Sequence, residues 1–91
     1  MVERVFLSGV EIEKGLFDSE SSVGVRDCNG HEDSGFFDKT TIHPLKGLEV
    51  NILDENEEFA VVGPVNGHAF INSRSIKVKK NLLKYDTTGV Y

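Results

Sequence analysis

The chain has 91 residues, enough for one domain with a modest core. Hydrophobic residues make up 38% of it, and no apolar run approaches the roughly 20 residues that a membrane-spanning helix needs. A net charge of −5 argues against non-specific nucleic-acid binding, and the single cysteine, Cys28, excludes an internal disulfide framework.

The charge is unevenly spread. Residues 1–73 hold 14 acids against 5 bases, a net of −9, whereas residues 74–91 hold five bases against Asp86, a net of +4. The basic segment reads as solvated terminal charge, or else as a local contact patch. Met1-Val2-Glu3-Arg4 is not a basic leader and no long apolar stretch follows it, so no signal peptide is expected. With one cysteine, this points to the cytoplasm of the producing cell, or to delivery by a route without a cleaved signal.

Arg4 to Ile12 reads as the first strand. Val5 and Leu7 share one parity and Val10 and Ile12 the other, so a bulge or sharp bend is expected at Gly9. Phe6 then points away from the core and covers a barrel end. Glu13 to Ser21 is a polar excursion whose Leu16 and Phe17 are expected to fold back onto the core, or else to form an exposed contact at a loop tip. Ser22 to Arg26 is a short strand with Val23 and Val25 inward. Residues 27–35, with Asn29-Gly30 and Gly35, form a surface loop. Phe36 to Ile42 is the next strand, and His43 to Gly47 a turn whose Pro44 forbids a central strand position.

Gly47 to Val78 organises the chain. Leu48, Val50 and Ile52 alternate with Glu49 and Asn51, the period of a half-buried strand. Asp54 to Glu57 interrupts with turn formers. Phe59 and Val61 resume the inward pattern, with Ala60 and Val62 facing the other way. Asn66-Gly67 is a strong two-residue hairpin signal, because a type I′ turn needs φ > 0 at both central positions. Ala69 to Ile71 forms the return strand, Asn72 to Ser75 a short turn, and Ile76 to Val78 the closing strand. Val50, Ile52, Val61, Ile71 and Ile76 are expected in the core. Leu82, Leu83 and Tyr85 stand near helical spacing, which suggests a short helix over Lys79 to Tyr85, with a frayed end beyond Asp86.

Several of these stretches resemble bacterial SH3 domains. Ser22-Val23-Gly24-Val25-Arg26 is similar to their hydrophobic-x-Val-Arg strand, and Gly47-Leu48-Glu49-Val50 to the strand after their Lys-Gly turn. Glu57 to Val62 resembles their acidic-aromatic central strand, and Gly67 to Ile76 their closing glycine, strand, short 3-10 turn and strand. The resemblance covers about residues 22–78. It implies an all-β, small SH3-like barrel of five to seven strands with a short C-terminal helix or tail. The single domain spans 1–91, with a barrel core at about 4–78 and a tail at 79–91. The resemblance also implies a binding module. The chain has no tryptophan, and Glu57-Glu58 precede Phe59 where the family often carries a Trp-aromatic pair, so proline-rich ligands are not expected.

Reactive groups gather in one loop. Cys28 and His31 stand three apart beside Asp27, Glu32 and Asp33. A thiolate–imidazole pair or a metal site could be built from them, but neighbouring carboxylates raise a thiol pKa, and zinc sites ordinarily show a second ligand pair. The loop therefore reads as solvated, with no catalytic residue, cofactor or metal expected. Asp54, Glu55, Glu57 and Glu58 crowd one hairpin tip. With Leu16 and Phe17 they are the candidate binding residues. The function expected is a non-catalytic module for a protein partner with a basic surface. It would act as a cytoplasmic adaptor or inhibitor, including a phage or mobile-element product that blocks a host machine. Peptidoglycan recognition of the bacterial SH3 kind is the alternative, and a Cys28/His31 enzyme the third reading.

Overall fold

A computed structural model describes residues 3–65 and 67–86; residues 1, 2, 66 and 87–91 fall outside that set. Among the described residues the chain is all-β: β1 (Arg4–Leu7), β2 (Glu11–Lys14), β3 (Glu20–Arg26), β4 (Glu32–Asp38), β5 (Ile42–His43), β6 (Gly47–Glu55), β7 (Phe59–Pro64), β8 (Ile76–Lys79) and β9 (Leu83–Asp86). The helical content is two three-residue 3-10 turns, Lys39–Thr41 and Lys80–Leu82.

The larger sheet is ordered β8-β7-β6-β1-β9, antiparallel throughout, with β5 paired to the start of β6. The chain runs through β6, β7 and β8, takes one 3-10 turn, and lays β9 against β1. This path is compatible with an SH3-like fold. Gly47 has φ 109°, and a Cβ there would run into the Leu7 carbonyl oxygen, so only glycine lets β1 approach the start of β6.

The smaller sheet is β2-β3-β4. Period-2 alternation sets its faces. Ser21, Val23 and Val25 of β3 and Asp33, Gly35 and Phe37 of β4 point inward and are buried. Of these, Val23, Val25 and Phe37 meet Leu7, Leu48, Val50, Ala60, Val62, Ile76, Val78 and Leu83 from the larger sheet in one continuous apolar cluster. Phe6 lies outside that cluster, on the opposite face from Leu7. It is fully buried beneath the edge-on His43 ring at 5.4 Å, with the Arg4 guanidinium 5.1 Å from its centroid.

The fold departs from the sequence expectations in definite places. The first strand breaks at Gly9, φ 74°, as the parity switch suggested, but its halves enter different sheets, and Ile12 stays 46% exposed. Leu16 and Phe17 do not fold back: they are 75% and 68% exposed in the β2–β3 turn. The loop expected over 27–35 is shorter, since β4 begins at Glu32, and that strand ends at Asp38 rather than Ile42. On β7 the faces are exchanged: Ala60 and Val62 are buried, Phe59 and Val61 half-buried. The turn after β6 sets a register in which Val62 opposes Ile52, and a one-residue difference in register moves a whole strand to its other face. Leu53 is the extra residue of a bulge there, where the register shifts between Ile52 and Asp54.

The return strand over Ala69 to Ile71 is not formed. Residues 67–75 make a long excursion in which Phe70 is buried, at 4%, and Ile71 is 66% exposed. Gly67 has φ 77°, and the other half of the expected turn, Asn66, lies outside the described residues. The 3-10 turn expected near Asn72 to Ser75 falls at Lys80–Leu82, and the C-terminal helix is replaced by β9. The core accordingly extends past residue 78 to Leu83.

Candidate functional site

The four acids of the β6–β7 tip are all exposed. Asn56 shapes the turn: its Oδ1 accepts the backbone N–H groups of Glu58 and Phe59, both at 2.9 Å, an Asx-type arrangement. The Asp54 carboxylate accepts the Glu55 N–H at 2.9 Å, and Glu55 lies 3.8 Å from the Lys80 ammonium. Glu57 and Glu58 have no ion-pair partner among the described residues. The tip is shaped by local bonds and by the Lys80 N–H on the Glu58 carbonyl at 2.9 Å, and its four acids are exposed. Leu16 and Phe17 belong to a different sheet, in a turn tied to the end of β4 by the Lys39 N–H on the Ser19 carbonyl at 3.0 Å. The structure therefore presents the two candidate groups separately.

A third surface escaped the sequence reading. The register places Glu11, Glu13, Glu20, Ser22, Gly24, Arg26, Glu32, Ser34, Phe36 and Asp38 on the outer face of the smaller sheet. Five carboxylates stand there against one guanidinium, which Glu32 already engages at 3.4 Å. Phe36 is 42% exposed, beside the small residues Ser22 and Ser34. An aromatic amid small residues with a charged border resembles the core and rim of a protein interface. The alternation of Glu20–Arg26 with Glu32–Asp38 carries the signal, but only the observed β3–β4 pairing makes it visible.

Each of the three histidines makes a polar contact within the fold. His31 Nδ1 faces the Asp27 carboxylate at 3.3 Å rather than Cys28, and Asp27 also accepts the backbone N–H groups of Asn29 and His31. Desolvation pushes the Asp27 carboxyl up, but these hydrogen bonds outweigh it and hold it below its ordinary value. The Cys28 N–H donates to the Lys77 carbonyl at 2.7 Å, pinning the β3–β4 turn onto β8. His43 Nδ1 accepts the N–H groups of Leu45 and Lys46 in the β5–β6 turn. His68 Nδ1 is 2.7 Å from the Val65 carbonyl, and its Nε2 accepts the Asp38 N–H at 3.2 Å, while its ring packs 5.4 Å from Phe37. Among the described residues no three His, Cys, Asp or Glu side chains converge on a metal-ion position, and no helix is long and apolar enough to cross a membrane.

No protein-family model, no curated protein and no solved structure matches the chain.

Proposed function

We propose that this domain is a non-catalytic binding module for a protein partner with a basic surface, acting inside the cell as an adaptor or inhibitor. One observation carries the reading. Glu11, Glu13, Glu20, Glu57 and Glu58 stand on strands and a turn fixed by the backbone, without an ion-pair partner among the described residues. Such carboxylates add little to folding and are free to steer a cationic surface, raising the association rate in a salt-dependent way. Asp54, Glu55, Glu57 and Glu58 form one contact, and Leu16 and Phe17 supply exposed apolar area on a separate turn. A phage or mobile-element product that blocks a host machine fits this size and charge.

A second reading draws on the strand path. Its compatibility with an SH3-like fold is the ground for membership of the bacterial SH3 class, and recognition of peptidoglycan follows from that membership by analogy alone. Affinity capture with the tagged protein separates the two. One dominant basic protein, released by moderate salt, supports the adaptor or inhibitor. Sedimentation with purified peptidoglycan, unaffected by salt, supports the wall module. Capture of neither overturns both.

A further inference from the structure

A sheet edge is a row of unpaired N–H and C=O groups, and native domains cover it or blunt it. Two of the edges here are covered. The β3–β4 turn places the Cys28 N–H on the Lys77 carbonyl of β8, and the 67–75 excursion places the Ile71 N–H on the Ser34 carbonyl of β4 at 2.8 Å. The β2 edge is different. Glu11-Ile12-Glu13-Lys14 pairs with β3 on one side, and no other hydrogen bond reaches it among the described residues. All four residues are exposed. Beside this edge lies a cleft of about 160 Å³ between Val10 and Ile12 on one wall and Pro44 and Leu45 on the other. Leu45 is 89% exposed and Ile12 46%.

We propose that β2 is the docking edge for an extended segment of the basic partner, which adds to the smaller sheet as a fourth strand. The inference rests on the basic-partner reading above and names where that partner binds. Main-chain hydrogen bonds would hold such a segment, and its alternate side chains would set specificity. Residues directly opposite one another on paired strands share a face. Lysine or arginine opposite Glu11 and Glu13 meets the acidic outer face, and an aliphatic residue opposite Ile12 enters the cleft toward Leu45. The motif selected is basic–aliphatic–basic.

A second copy of the chain does not fit. Two β2 strands paired antiparallel with inner faces together set Glu11 against Glu13, or a glutamate against its own copy, and like charges directly opposite destabilise a pair. Charges on an edge ordinarily prevent pairing. Here their sign makes the prevention selective.

The test uses the ¹⁵N-labelled protein at low salt with two synthetic peptides, Lys-Val-Lys-Val-Lys-Val and Glu-Val-Glu-Val-Glu-Val. The lysine peptide is expected to slow amide exchange along Glu11–Lys14 and shift those resonances together with Leu45; the glutamate peptide is expected to do neither. Glu11→Lys with Glu13→Lys should weaken the lysine peptide about tenfold, the sum of two cross-strand charge pairs. Shifts confined to the Asp54–Glu58 tip or to Phe36, with β2 exchange unchanged, overturn the docking edge and leave the basic-partner reading standing. Equal binding of both peptides overturns the charge selection, and no response at any residue overturns both.

Discussion

The two ends of β7 are both turns rich in small and polar residues, yet they are held by different forces. The tip before β7 is held mainly by its own residues: Asn56 caps Glu58 and Phe59, Asp54 caps Glu55, and one backbone bond comes from outside, the Lys80 N–H on the Glu58 carbonyl at 2.9 Å. The excursion after β7 is held from a distance. Phe70 sits in the core, 5.8 Å from Phe37; His68 bonds the Asp38 N–H; the Asp33 carboxylate accepts the Asn72 N–H at 3.1 Å. A turn held locally can be read from local sequence. A turn held by tertiary contacts follows its contacts, and the hairpin preference of Asn66-Gly67 does not decide where the chain goes next.

The largest test of this difference is Phe70→Ala. It removes a side chain that is 4% exposed and is the excursion's apolar anchor, and should cost about 3–5 kcal/mol by chemical denaturation. Amide exchange should rise over residues 67–75 while the Asp54–Glu58 tip stays as it was. A cost below about 1 kcal/mol would show that the excursion does not depend on the core.

Asp33→Asn comes next. Asp33 is 9% exposed and accepts from the Ser34 and Asn72 backbone and from the Asn72 side chain. Losing charge-assisted bonds here should cost about 1–3 kcal/mol. Desolvation pushes the Asp33 carboxyl up, but the hydrogen bonds from Ser73, Ser34 and Asn72 outweigh it, so its folded-state value lies below the ordinary 3.8. A depressed carboxylate stabilises fully above the unfolded-state value and loses that contribution as pH falls through the folded one. The stability gap between wild type and variant should therefore stay constant from neutral pH down to about 3.8 and close below it. A gap independent of pH throughout the acid range would show that the charge is not what holds Asn72.

The same division explains what was legible. The strands β3 and β6 and the bend at Gly9 carry their signals in period-2 alternation and a single glycine, and they form there, although β3 begins two residues earlier than Ser22 and β6 runs on through Asp54 and Glu55, which were read as turn. The inward face of β7 was not legible, because Phe59-Ala60-Val61-Val62 is apolar on both parities and only the register with β6 decides between them. Leu82-Leu83-Tyr85 suggested a helix because local spacing cannot register that β1 offers an open partner, which pairs Leu83 with Leu7. Of the candidate sites, the acidic tip was readable as a run of four acids around one asparagine. The acidic face of the smaller sheet was not, since its carboxylates come from three strands and converge only through pairing.

Asn56→Ala probes the locally held end. It frees the Glu58 and Phe59 N–H groups, which are near water and can be solvated in part, so the cost should be about 1 kcal/mol. Exchange should rise over residues 54–59 and remain unchanged over 67–75, the mirror image of Phe70→Ala. Protection lost at both ends would mean that the two turns form one cooperative unit.

The smallest effect on folding is expected where the effect on binding is clearest. Changing Glu55, Glu57 and Glu58 together to glutamine removes three exposed charges and keeps every backbone bond of the tip. Among the described residues, the one ion pair lost is Glu55 with Lys80 at 3.8 Å, and exposed pairs of this kind contribute about 0–1 kcal/mol. Melting temperature should hardly move, because Asn56 and Asp54, which shape the turn, are untouched. Association with the captured partner should slow several-fold at low salt, and the difference from wild type should vanish at high salt, since rim charges act through a field screened over about 10 Å at 0.1 M. Stopped-flow rates at two ionic strengths read both quantities. If the triple variant associates as fast as wild type, the tip keeps the domain soluble and nothing more. The partner's basic groups must then be met on the smaller sheet, and the same measurement on Glu11→Lys with Glu13→Lys decides whether they are.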